Sequence, residues 1–294
     1  MKQVGYPEVE DLQDFESLGV ARLAKYVSPE GERQDAAHAY LHPRLQDGKH
    51  PNLHVLVESQ VIRVLFHNDQ KVSGIEYRPN PATQSQCSPR QIRARRLVVL
   101  SCSTLGTPPV LERSGIGSDE RLKQVGVHSI VDLPGVGHDF QDHNVSIYEY
   151  KSSLSPSQTT DEVWSFRADI PKMLATKDKM LGWNGMDISS KIRPTDAEVK
   201  RLGPKFQEAW DAKFSAIPEK PLISIFMVTG YAAQYRVYLV LLLIANDFSM
   251  AGGHQAAPPG QYFSIGVFTA YPFSRGHVVS LTFVDRGHLN QRAV

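Results

Sequence analysis

The feature that most constrains this chain is a β-branched and leucine run, Arg96-Leu-Val-Val-Leu-Ser101, that leads directly into Ser103-Thr-Leu-Gly-Thr-Pro-Pro-Val-Leu-Glu-Arg-Ser-Gly-Ile-Gly117. The run has the length and composition of a buried strand. Ser103 and Thr104 are good helix N-caps, Leu105, Pro108, Val110 and Leu111 supply an apolar side, and Ser114 to Gly117 ends the helix. The expected unit is strand, tight turn, short helix and glycine exit. Such a junction turns free backbone N–H groups and the positive end of a helix toward whatever lies over the strand end, which suits a phosphate. Turns of this kind are also common where nothing binds, so physics alone leaves an anion site and a plain turn both open.

The residue pattern is more specific than its physics. Small residues at 103 and 104, then Thr107-Pro108, Val110-Leu111 and Ser114-Gly115-Ile116-Gly117, resemble the second signature of the glucose–methanol–choline (GMC) flavin oxidoreductases, with every constrained position filled. The flanks extend the likeness. Residues 51–66, 72–77 and 92–100 resemble the strands that precede that signature. Residues 131–143, with Pro134-Gly-Val-Gly137 and Gln141-Asp-His143, resemble a family loop that packs between cofactor and substrate domains. Tyr271-Pro-Phe-Ser-Arg-Gly276 resembles the Ser-Arg-Gly turn of the substrate-binding domain, and the spelling is nearest to the fungal alcohol oxidase branch.

The resemblance implies a mixed α/β (α+β) fold. Part of an FAD-binding domain is expected over residues 1–147, with a strand meander at 53–78 and the signature at 103–117. An antiparallel-sheet substrate-binding domain is expected over 148–294. It also implies FAD as cofactor, with Val61, Ser101, Ser103, Gly106 and Asp142 as cofactor-binding positions, and a short alcohol as substrate. The complete relative would move a hydride from the CH–OH carbon to FAD and on to oxygen. The family's proton-accepting histidine lies in a segment that this chain does not match, so no catalytic residue is assigned, and His277 and His288 receive no role. A peroxisomal, intracellular location and a homo-oligomer are further expectations from the family.

No Gly-x-Gly-x-x-Gly fingerprint occurs, although a complete family member carries one near its N-terminus. The chain is accordingly expected to be a truncated piece, inactive alone. The alternative is a non-catalytic remnant or assembly module that pairs with a full-length oxidase. A hydrolase is disfavoured, because no Gly-x-Ser-x-Gly elbow accompanies the many Ser, His and Asp residues.

Composition narrows the classes further. The 294 residues are 41% hydrophobic and 21% charged, enough for one large or two ordinary domains, and the net charge of +1 gives no electrostatic case for nucleic acid or an anionic membrane. Cys87 and Cys102 are the only cysteines, which excludes a disulfide framework. The longest apolar run, residues 237–245, is about half the length of a membrane span, and the N-terminus has no apolar signal region.

Elsewhere the pattern gives structural expectations. Residues 2–27 suit a short helix and a loop, 33–45 a helix, and 53–57, 61–66 and 72–78 three strands of a meander. Val61 is both a core β-branched position and, by resemblance, a contact of FAD's adenine end. Arg90, Arg93, Arg95 and Arg96 form a solvated basic face. His38 and His42 stand at i and i+4 without a convincing third ligand, so a surface or packed pair is preferred to a metal site. His138, Asp139, Asp142 and His143 are the densest His/Asp group, read as part of the loop and not as a metal site. Helices are expected over 163–180 and 197–214, with strands over 221–228, 235–245, 262–270 and 277–284.

Overall fold

The structure, a computed structural model, describes residues 3, 5–67, 70–80, 82–83, 88–232, 258–280 and 291–293. They gather into two compact units, one of residues 1–50 and 143–272, the other of residues 51–142 and 273–294. Helices and sheets are mixed, as expected. The strand expected at 235–245, the end of the one at 277–284, Cys87 and His288 lie outside the described residues.

The first unit is built on a five-stranded antiparallel sheet in the order β1-β8-β9-β10-β7, with β1 Gly19–Arg22, β7 Val145–Lys151, β8 Met186–Lys191, β9 Ile223–Val228 and β10 Tyr262–Thr269. Apolar alternation on β10 sets its faces: Ile265 stands opposite Tyr148 on one side and Met227 on the other, while Ser264 and Gly266 point to the opposite, buried face. Gly266 is required there, because a Cβ would lie 2.0 Å from the Phe226 ring.

The same unit carries short helices: α1 His42–Gln46 after a π turn at Ala37–Leu41, α4 Asp161–Trp164, α5 Ile170–Thr176, α6 Asp196–Arg201 and α7 Pro204–Lys213. The long helices expected at 163–180 and 197–214 are each broken in two. Phe166 takes a φ of +56° and ends the first; Gly203 at φ +92°, followed by Pro204, ends the second. Thr195 and Glu198 form a reciprocal capping box that restarts the chain as α6. The core here is Val199, Trp210 and Phe214, with Phe206 and Leu222 against it, and the Arg193 guanidinium lies 4.4 Å from the Trp210 ring centroid. Phe166 and Leu174, within the helix expected at 163–180, are exposed. Residues 19–22, expected in a helix or loop, form β1 because β8 offers them a ladder.

The second unit holds an antiparallel meander of β2 Ser59–Phe66, β3 Val72–Pro79 and β4 Arg90–Arg93, helix α2 Ser103–Arg113, a parallel pair of β5 Ile116–Gly117 and β6 Val131–Asp132, helix α3 Asp119–Gln124, and β11 Val278–Ser280 paired with β12 Gln291–Ala293. The meander thus uses β4 as its third strand. Residues 53–57 and 97–100, both expected as strands, join no ladder among the described residues.

One buried carboxylate closes the end of the large sheet. Asp161 is fully buried at the start of α4 and accepts the backbone N–H groups of Tyr231 at 2.9 Å and Tyr262 at 2.8 Å. Asp161→Ala would strand both donors, and the expected loss is about 3 kcal/mol of unfolding free energy, read by urea titration. Asp161→Asn, which keeps one acceptor, should lose less than Asp161→Ala.

Candidate functional site

All five positions read from the sequence as cofactor-binding lie in the second unit. Ser101 is exposed in the extended link after Leu100, Ser103 opens α2, Gly106 sits in its first turns, Val61 lies half-buried on β2, and Asp142 is exposed at the end of the loop after β6.

The turn into α2 is tighter than helix-cap rules foresee. Ser103 does not cap the helix; it is the first helical residue, at φ +66°, with Cys102 in the cap position and no side chain capping the first turn. A serine in the left-handed region carries strain of about 1–2 kcal/mol. No N-cap side chain accepts from the first turn of this eleven-residue helix. Cys102 N–H instead donates to Thr107 Oγ1 at 3.1 Å. Gly106 suits the same crowding, since a Cβ there would sit 3.0 Å from Cys102 Cβ.

The far end of α2 carries anchors at Glu112 and Arg113, where the signature is free, and at Ser114, which belongs to it. Glu112, 2% exposed, accepts the Ser280 N–H at 2.7 Å. Arg113 Nε donates to the Ile62 carbonyl at 2.6 Å, and buried Ser114 Oγ accepts the Val64 N–H at 2.8 Å. Burial, and then the neighbouring Arg78 charge, push the Arg113 guanidinium below its ordinary pKa. The Ile62 contact ties the strand carrying Val61 to the C-terminal end of α2, whereas Ser101, Ser103 and Gly106 cluster at its N-terminal end. Helix geometry separates those ends by roughly 16 Å, so one ligand touching both groups must be long.

The loop after β6 packs on α2. Gly137, at φ +73°, leaves no room for a Cβ, which would meet the Val278 carbonyl at 2.0 Å and Pro108 Cβ at 3.3 Å. Val278 N–H donates to Gly137 O, Phe140 and Gly276 exchange backbone bonds, and Arg275 pairs with Asp139 at 2.9 Å. Two segments recognised separately in the sequence, the Pro-Gly-Val-Gly loop and the Ser-Arg-Gly turn, are therefore one joined structure. The dense His/Asp group disperses: His138 lies against His277 with ring centroids 5.7 Å apart, Asp139 holds Arg275, and His143 Nδ1 sits 2.5 Å from the Thr269 carbonyl. Among the described residues no three His, Cys, Asp or Glu side chains converge as metal ligands, and no helix is long and apolar enough to cross a membrane. His38 and His42 meet edge to face at 4.9 Å, with His38 held by Asp35. The Asp35 carboxyl lies well below its usual range because it accepts the His38 N–H and then the His38 ring N–H.

Comparison with known proteins agrees with the sequence pattern. Residues 1–145 match the family described as GMC oxidoreductase. The chain is 33% identical over 278 residues to an alcohol oxidase of Candida boidinii and 32% identical over 280 residues to one of Pichia angusta. Those matches take in 92% and 93% of this chain but only 39% of each relative, so the chain spans well under half the length of the curated relatives it matches. Among solved structures, a formate oxidase superposes with a TM-score of 0.74 at 18% identity, over 99% of this chain and 46% of that one.

Two substitutions test the site's construction. Ser103→Gly should raise unfolding free energy by about 1 kcal/mol through relief of the left-handed strain, whereas Ser103→Val should lower it. Glu112→Ala should cost about 2 kcal/mol and speed hydrogen exchange at the Ser280 amide, with a smaller effect from Glu112→Gln.

Proposed function

This chain belongs to the GMC oxidoreductase family, and from that premise we propose that it is part of an FAD-dependent oxidoreductase acting on CH–OH donors, of the short-chain alcohol oxidase kind. The observation that carries the reading is the strained, uncapped entry to α2 with the Gly137 loop packed on its Pro108. Uncapped N–H groups at the positive end of a helix suit the negatively charged, extended shape of FAD. In this proposal Ser101, Ser103 and Gly106 meet the cofactor through backbone and hydroxyl groups, Val61 flanks its adenine end, and Asp142 lies at the loop beside it. Bound FAD would supply the chemistry of hydride acceptance from the alcohol carbon. The assignment of 1–147 to a cofactor domain and 148–294 to a substrate domain belongs to the same proposal, as do a small alcohol substrate and a peroxisomal location by analogy with the family.

The 294 residues alone do not complete the reaction in this reading. Ser101, Ser103 and Asp142 are all exposed, while hydride transfer to a flavin needs a site that excludes water and a base beside the hydroxyl. FAD titration followed by flavin fluorescence tests the cofactor part: weak, saturable binding is expected. Ser103→Asp, which adds a charge at the helix N-terminus, should weaken it roughly tenfold, or about 1.4 kcal/mol. Absence of binding would remove the five residues as cofactor contacts. Peroxide formed on adding methanol to the FAD-loaded chain would overturn the inactivity.

A further inference from the structure

An unusual turn brings His38 and His42 together. Ala37–Leu41 is a π turn, closed by the His42 N–H donating to the Ala37 carbonyl five residues back. Turns of this width are rare, and they recur at functional sites. Here the turn sets the two imidazoles side by side, with ring centroids 4.9 Å apart and planes inclined at 71°. That spacing has a chemical meaning. Two imidazoles that share one metal ion, each with a ring nitrogen about 2.0–2.1 Å from it, hold their centroids about 4.5–5.2 Å apart at ligand angles of about 90–109°. Both side chains are exposed, so no packed core accounts for their pairing.

The sequence offered only the i, i+4 spacing; the structure adds Asp35. Its Oδ1 accepts the His38 backbone N–H at 3.0 Å and lies 2.7 Å from His38 Nδ1, while Oδ2 accepts from Arg33 Nε at 3.2 Å. An ionised carboxylate only accepts, so Nδ1 carries the proton and the Nε2 lone pair of the neutral ring is left for a ligand. A carboxylate behind the far nitrogen is the arrangement that fixes the tautomer and orientation of metal-binding histidines. We propose that His38 and His42 together ligate a divalent transition-metal ion of the zinc or copper type, with Asp35 as the positioning residue behind His38. Imidazole donors select such ions over magnesium and calcium, which prefer oxygen. No third His, Cys, Asp or Glu side chain converges there among the described residues, so the remaining coordination positions are open to water or a further ligand. All three residues belong to the first unit, and the proposal is independent of the FAD reading.

The test titrates zinc chloride into the full chain, produced without a histidine tag or added flavin, by calorimetry, and follows the histidine ring protons by NMR. One ion per chain is expected, with the ring signals of His38 and His42 the ones that move. Copper(II) should bind more tightly than zinc, and magnesium should move neither signal. His38→Gln and His42→Gln should each abolish binding over the range in which the parent saturates, and because both side chains are exposed the variants should keep the parent's thermal melt. Asp35→Asn should weaken zinc binding about ten- to a hundredfold and shift the His38 ring signals before any metal is added. Absence of zinc binding, or binding that survives His38→Gln with His42→Gln through others of the chain's eleven histidines, overturns the proposal. Unchanged affinity in Asp35→Asn overturns it as well, because an unoriented surface pair would then suffice.

Discussion

The buried Glu112 carboxylate holds the second unit together. It accepts the Ser280 N–H, and its two successors reach the opposite way, Arg113 to the Ile62 carbonyl and Ser114 to the Val64 N–H. Three consecutive residues at one helix end thus fasten the meander on one side and β11 on the other. Because β11 also gives its Val278 N–H to Gly137, the loop that packs on Pro108 is positioned through the same anchor. The strained turn at Ser103 can persist because the rest of α2 is fixed at its far end. Strain at one end of the helix and anchoring at the other are a single arrangement.

How legible this was in the sequence depends on how local the cause was. Strands β2, β3, β9 and β10 were readable because their alternation and β-branched content are properties of the segment itself. Strands β1, β7 and β8 were not. Gly19–Arg22 is four residues long and becomes a strand only through Lys191 and its neighbours, far along the chain, so no window of sequence contains the reason. The helices at 161–213 were seen but overextended, because periodicity continues through Phe166 and Gly203 while the backbone does not. The Ser103 entry was located from the pattern and its mechanism misread: small residues suggested capping, whereas the structure holds the serine itself at a strained positive φ. Glu112 and Arg113 occupy positions at which the signature is free; their signal was a charged pair inside an otherwise apolar helix side.

The two units treat polar groups in the same way and apolar ones differently. In the first, Asp161 collects two backbone donors, Ser264 Oγ links the Ala232 N–H to the Gly230 carbonyl, and Arg193 caps the carbonyls of Phe214, Ile217 and Lys220. In the second, Glu112, Arg113 and Ser114 do equivalent work. Side chains such as Leu97, Val99 and Val57 nevertheless remain in water there, beside a backbone that makes no ladder among the described residues. Among the described residues the buried side-chain polar atoms without a partner, Arg113 Nη1, Arg121 Nε and Ser280 Oγ, also lie in this unit, so side chains that anchor backbone groups do not by themselves satisfy every polar atom they bury.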